Sequence, residues 1–264
     1  DIVSRDWSSD VCSSDLQGLN PLTRVLRDIA RAGEVPYWSG ERGWVRNTLM
    51  FDLGGAHLLG EVGCSLGTTR QRRRYRPAPG LLAALRSRAR GAAALGRYAA
   101  AQRVGRAELR QRLGLPADAR VAVLFTHGEP GMNAMGASTV REMHDVSPAL
   151  LQQRLDAVSA ALLARGHWLL VQEHPFNEAA GRCLRLPDSP RVLAVRENVS
   201  SLIDAADVLL FTLATLQFDA VFLDKPLGLL SRSALYRDGA PPFIGDHPGA
   251  EAFLDSIFDE AAWP

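Results

Sequence analysis

The sequence predicts an α/β fold: a parallel sheet with helices on both faces. Three observations predict it. From Asp118 onward, short apolar runs alternate with helical stretches at the spacing of β-α units. The runs are nearly continuous Val, Leu and Phe, as strands covered on both faces require. They also end in polar residues, Glu173-His174-Pro175, Thr212 and Ser231, as strands do at the rim of a sheet.

The elements follow in order. Gln17–Gly33 has helical periodicity, with Leu22, Val25, Leu26, Ile29 and Ala30 on one face and Gly33 as the stop. Glu34–Asp52 reads as two short strands around a glycine-rich loop, Ser39–Gly43, that carries Glu41. Leu53–Gly67 is again glycine-rich and reads as loop. Arg70–Arg76 (RQRRRYR) opens a basic, Ala-rich stretch that is helical by propensity. Arg120–Thr126 (RVAVLFT) is a buried strand, and His127–Val146 a long loop. Ser147 and Pro148 have the chemistry of an N-cap and a first helical residue, and their helix stops at Gly166. Further strands are expected at His167–Glu173, Arg191–Val195, Val208–Thr212 and Pro226–Leu230. Helices are expected at Val199–Ala206 and Leu216–Leu223.

Four segments follow from this reading. Asp6–Leu16 (DWSSDVCSSDL) matches one translated frame of a sequencing-library adapter, so residues 1–16 are expected to be an assembly artefact with native sequence missing upstream. Residues 17–69 are then the partial remnant of an N-terminal α/β domain. Residues 70–117 are a basic helical connector and residues 118–264 a C-terminal domain.

The 264 residues carry a formal net charge of +1, which provides no global field for nucleic acid. The basic stretch between Arg70 and Arg112 has few aromatic residues for stacking, which also argues against nucleic acid. Its arginines read first as a solvated helical face and second as a site of peripheral attraction to anionic lipid. With Cys12 set aside, Cys64 and Cys183 match no metal motif and suit a reducing cytoplasm. No apolar run approaches the roughly 20 residues of a membrane span. The expected location is the cytoplasm, including the inner face of the cytoplasmic membrane.

In a parallel sheet all strand C-termini open on one edge, so the polar clusters after the strands should converge. Thr212 and Thr215 flank a helix N-terminus, where free N–H groups and the helix dipole favour an anion. His174 and Ser231 are further donors at that edge. No Walker loop and no GxGxxG after a strand occur. Taken singly, the threonines read first as helix caps, and His174 first as a structural ring that bonds a loop carbonyl.

The ordered set resembles a known family. LLVQEHP, followed by DAADVLLFTLATLQFDAVFLDKPLGLLSRSALY, is similar to the nucleotide-binding domain of GT-B glycosyltransferases. The resemblance is strongest to the bacterial capsule polysaccharide biosynthesis family, which includes Kdo transferases. His174-Pro175, Thr212 or Thr215, Asp219 and Lys225-Pro226 occupy the family's positions. Upstream, SGERGWVRNTLMFDLGG resembles the family's acidic-x-Gly segment at Glu41, Gly43, Trp44, Arg46, Asp52 and Gly55. Where the family usually has Ser-Thr and Glu, this chain has Thr212 with Thr215, and Asp219.

The resemblance implies a GT-B-like fold with a Rossmann-like C-terminal domain. It implies transfer of a sugar, with Kdo from CMP-Kdo the suggested case, from a nucleotide-sugar donor to a glycan or glycolipid acceptor. Glu41 would take the acceptor proton, with Asp52 the second candidate base. The other reading of Glu41 is a loop carboxylate paired with Arg42 or Arg46. His174 would bind or protonate the departing phosphate, while Thr212, Thr215 and Ser231 hold it. His127, Glu129 and Asp219 would contact the donor. No cofactor and no metal is implied. A sugar-nucleotide epimerase, a polyol-phosphate polymerase and a non-catalytic GT-B binding module are the alternatives on the same fold.

Overall fold

A computed structural model describes residues 25, 28–30, 32–35, 38–42, 49–53, 104–126, 147–175, 177, 184–212, 216–217, 220, 225–231 and 242–258. The chain divides into two compact units, Asp1–Ala89 and Arg90–Pro264.

In the first unit, strands β1 (Trp38–Arg42) and β2 (Leu49–Leu53) form an antiparallel pair, with Trp38 opposite Leu53 and Arg42 opposite Leu49. Two strands were expected here, but the residues assigned to the loop are β1 itself. Ser39 to Arg42 are paired with Asp52 to Leu49. Glycine in SGERG signalled a turn, yet the ladder extends through Gly40. The preceding helical residues end at Gly33, whose N–H donates to Ile29 O at 2.9 Å. The residue in the left-handed region is Glu34, with φ 53°.

The second unit is built on five parallel strands: β3 (Val121–Phe125), β4 (Trp168–Gln172), β5 (Val192–Ala194), β6 (Val208–Phe211) and β7 (Leu227–Leu229). Each lies within its expected run and is shorter by one or two residues at its ends. Their order is β5-β4-β3-β6-β7. The chain therefore steps outward from β3 through β4 to β5, then crosses back to β6 on the other side of β3. All of β3, β6 and β7 is buried, which is why these strands read as continuous apolar runs.

Among the described residues, four helices with described bounds flank the sheet: α1 (Arg106–Arg112), α2 (Pro148–Ala164), α3 (Val199–Ala205) and α4 (Ala250–Phe258). Right-handed crossovers place α2, between β3 and β4, on one face and α3, between β5 and β6, on the other. The packing agrees: α2 lies against β4 and α4, and α3 against β3 and α1. Local chemistry sets the helix ends. The Ser147 hydroxyl accepts from Leu150 N at 3.2 Å, and Asn198 Oδ1 accepts from Ser200 N and Ser201 N at 3.0 and 3.2 Å. After α2, Gly166 takes φ 74°, and His167 N reaches back to Leu162 O at 2.9 Å, closing a Schellman turn.

Helix α4 was not anticipated. It packs on β7 through Gly228, where the bare backbone lies beneath Phe253 and Ile257, both fully buried. The outer edge of β7 is not left bare: Leu229 N donates to Pro242 O at 2.8 Å, and Phe243 bridges Leu229 in parallel. Among the described residues, no helix is long and apolar enough to cross a membrane.

Candidate functional site

The order reverses between β3 and β6, so the switch point of the sheet lies between their C-terminal ends. In open α/β sheets that crevice is where ligands bind. The residues there are Thr126, one past β3, and Thr212, one past β6, at 4% and 1% exposure. Phe125 and Phe211 stack just below them, with centroids 5.6 Å apart. Thr212 N donates to Phe125 O and Thr126 N to Gln172 O, both at 3.2 Å, which carries the ladder to the last residue of each strand.

On the other side of β3, strand β4 runs into Glu173-His174-Pro175. Here a helical turn begins: Pro175 and Asn177 are helical, and Asn177 N donates to His174 O at 2.8 Å. The turn is held to β3 by a side chain. Thr126 Oγ1 accepts from His174 N at 2.9 Å and from Asn177 Nδ2 at 3.2 Å. His174 and Asn177 are both buried. Gln172, at the end of β4, grips the next loop in the same manner. Its Nε2 donates to Glu197 O at 3.0 Å and its Oε1 accepts from Glu197 N at 2.9 Å. Ser231, buried at 2% exposure, lies beyond β7.

His174, Thr212 and Ser231, chosen from sequence, thus lie past the C-terminal ends of β4, β6 and β7, on one edge of one sheet. His174 and Thr212 flank Thr126, on strands roughly 10 Å apart at ordinary strand spacing. Glu41 and Asp52 lie on β1 and β2 of the other unit. His127, Glu129, Thr215 and Asp219 are outside the described residues. Thr126, Asn177 and Gln172 are the residues that sequence reasoning missed. Among the described residues, no group of three or more His, Cys, Asp or Glu side chains could hold a metal ion.

Two features named from sequence, Lys225 and the end of the basic stretch, have their partners elsewhere. Lys225 precedes β7, so it sits at the N-terminal edge of the sheet. Its Nζ donates to Asp204 O at 3.2 Å and Ala206 O at 3.0 Å, at the C-terminal end of α3. It satisfies carbonyls that a helix end leaves orphaned, where the helix dipole favours a cation. Burial pushes its pKa down, and the Arg106 charge adds to that. It contributes no charge to the C-terminal edge.

The second concerns the basic stretch, where one arginine of its last helix is buried rather than solvated. Arg110 is 8% exposed; its Nε and Nη2 donate to Ala205 O, its Nη1 to Ala119 O, and its Nη2 to Asp207 Oδ2 at 2.7 Å. Arg106 pairs with Asp207 Oδ1, and Arg112 with Glu197. Asp207 also accepts from Val121 N at 2.8 Å. Burial raises the Asp207 pKa, but the Arg106 bond, the Val121 amide and the two guanidinium charges outweigh it and hold the carboxyl below its ordinary value. Arg110 is committed inside the protein, whereas Arg106 and Arg112, with side chains 42% and 48% exposed, form their ion pairs at the surface.

No family model and no curated protein matches the chain. Solved structures do match its fold. The Thermosulfurimonas dismutans KpsC beta Kdo 2,4 transferase aligns with a TM-score of 0.52 and 17% identity, over 80% of this chain and 66% of that one. The KpsC beta Kdo 2,7 transferase of the same organism aligns with a TM-score of 0.48 and 14% identity, over 86% and 72%. The wall teichoic acid polymerase TagF gives 0.33 and 20%, over 47% of this chain and 28% of its own. Only the first of these three is close enough in geometry to bear on the architecture. It shows the fold: α/β, GT-B-like, with a Rossmann-like C-terminal sheet.

Proposed function

We propose that this chain is the donor-binding part of a glycosyltransferase that moves a sugar, with Kdo the leading candidate, from a nucleotide sugar to a capsular or other surface polysaccharide. The observation that carries the reading is the edge of the sheet. The polar residues chosen from sequence stand past three strand ends, around the switch point of a fold shared with a Kdo transferase. In this reading His174 binds or protonates the departing phosphate. The hydroxyls of Thr212, Thr215 and Ser231 donate to its oxygens, more strongly as charge develops. The Thr212 amide is already committed to Phe125 O, so its contribution is its hydroxyl. Glu41 removes the acceptor proton, while His127, Glu129 and Asp219 complete the donor contacts. The transfer needs no metal on this reading, and the acceptor is a glycan or glycolipid at the inner face of the membrane.

The test is thermal stabilisation by CMP, CDP, UDP and GDP, on wild type and on His174→Ala. A ligand at 100 times its dissociation constant adds about 2.7 kcal/mol. Stabilisation by one nucleotide, weakened in the variant, supports the donor site and identifies the base. A folded wild type that responds to none of the four removes the proposal in favour of a non-catalytic module.

A further inference from the structure

We propose that Thr126 is the positioning residue for His174. This rests on the reading of His174 as the donor-phosphate residue. Thr126, one past β3, reaches the turn after β4 through its side chain and borders the end of β6, where Thr212 N meets Phe125 O. Its hydroxyl oxygen has two lone pairs. Both have donors: the His174 main-chain N–H at 2.9 Å and the Asn177 amide at 3.2 Å. The turn is therefore pinned at its first residue and again three residues later. Both donors are buried, so neither has water as a substitute if the acceptor is lost. Pro175 has no N–H and fixes its own φ, so the turn has few other ways to settle. A group that assists a leaving phosphate must be held to a fraction of an ångström. Thr126 supplies that hold from the end of the central strand of the sheet, on which all five residues are buried.

The experiment compares Thr126→Val, which keeps the shape and removes the acceptor, with Thr126→Ser, which keeps the hydroxyl. Three quantities are read: amide hydrogen exchange at His174, affinity for whichever of CMP, CDP, UDP or GDP wild type binds, and that affinity with His174→Ala added. In Thr126→Val the His174 amide should exchange at least about tenfold faster while the β4 amides of Leu169 and Val171 keep their protection. Affinity should fall about tenfold, equivalent to about 1.4 kcal/mol. Thr126→Ser should restore both. Adding Thr126→Val to His174→Ala should cost nothing more, because a residue acting through the ring has no effect once the ring is gone.

Unchanged exchange at His174, or full additivity of the two substitutions, overturns the inference. If wild type binds no nucleotide, the proposed function fails, and the exchange comparison still decides whether Thr126 fixes the turn. If Thr126→Val does not fold, Thr126→Cys, whose sulfur is a weak acceptor, takes its place with the same expected directions.

Discussion

Asp207→Asn removes one charge from the clasp between α1 and α3 and changes almost no volume. The carboxylate accepts from Arg106, from Arg110 Nη2 at 2.7 Å and from Val121 N at 2.8 Å. The amide retains one oxygen, enough for the Val121 N–H, and turns a donor toward a guanidinium. The Arg106 side chain is 42% exposed and can turn to water, so its loss counts for little. The Arg110 side chain is 10% exposed and cannot; its Nη2 shares the oxygen that Val121 N uses, so it keeps a neutral oxygen there and loses the negative charge. A hydrogen bond to a charged partner contributes about 1.5–3 kcal/mol, which sets the expected loss near 2 kcal/mol at pH 7. The sign of the pH dependence follows from the depressed pKa of Asp207. Its contribution is complete above the unfolded carboxyl value near 3.9 and is lost as pH falls through the lower folded value. Urea unfolding of both proteins should therefore show the full gap at pH 7 and pH 5, narrowing below about pH 4 by at most about 1.4 kcal/mol per unit. A gap under about 0.5 kcal/mol at pH 7, within the range of an ordinary surface substitution, would refute the reasoning. So would a gap that persists unchanged at pH 3.

Other outcomes follow from the same structure. Gly228→Ala puts a Cβ 2.3 Å from Ile257 Cδ1 and 2.6 Å from Phe253 Cζ, so calorimetry should show a loss of about 1–3 kcal/mol; a neutral variant would mean that α4 is not tightly seated. Lys225→Met should cost about 1 kcal/mol by urea unfolding yet leave nucleotide affinity unchanged, because the length of β6, about 13 Å, separates it from the candidate site. A tenfold fall in affinity would return Lys225 to the donor site. His167 is buried, and burial, then the charges of Arg120 and Arg165, lower its pKa. Its stabilising contribution is complete above the unfolded value near 6.5 and is lost as pH falls below it. The stability of His167→Phe relative to wild type should therefore rise between pH 7 and pH 5, and a flat difference would contradict this.

The sheet was legible because burial on both faces writes itself locally. Each parallel strand is a run such as VAVLF or VLLF that no helix period explains. The rim was legible for the same reason, since a run that breaks at His174 or Thr212 has reached an edge. What holds the rim together was not. Thr126 meets His174 and Asn177 across 48 and 51 residues of chain, and no local pattern distinguishes that threonine from any other strand end. The place of Lys225 was not legible, because a dipeptide motif carries no direction. Only the strand that follows shows which edge it occupies. Glu41 was placed in a loop because two glycines outweighed the pairing that β2 imposes. Helix α4 did carry a signal, Phe253, Leu254 and Ile257 on one face after Gly249, which went unused.

The clasp of α1 on α3 also bears on where one structural module stops and another begins. Composition puts the boundary at Asp118, after the basic stretch. The structure puts it at least as early as Val104, whose N–H donates to the Ser201 hydroxyl at 3.0 Å. A recombination event that joined a foreign N-terminal half at Asp118 would discard Leu109, which is fully buried, along with both arginines that neutralise Asp207. The graft would inherit the whole polar edge from Thr126 to Ser231 and still be compromised at the far side of the sheet. The smallest portion that evolution or an engineer can transplant intact is therefore longer, at its front, than the part that carries the chemistry.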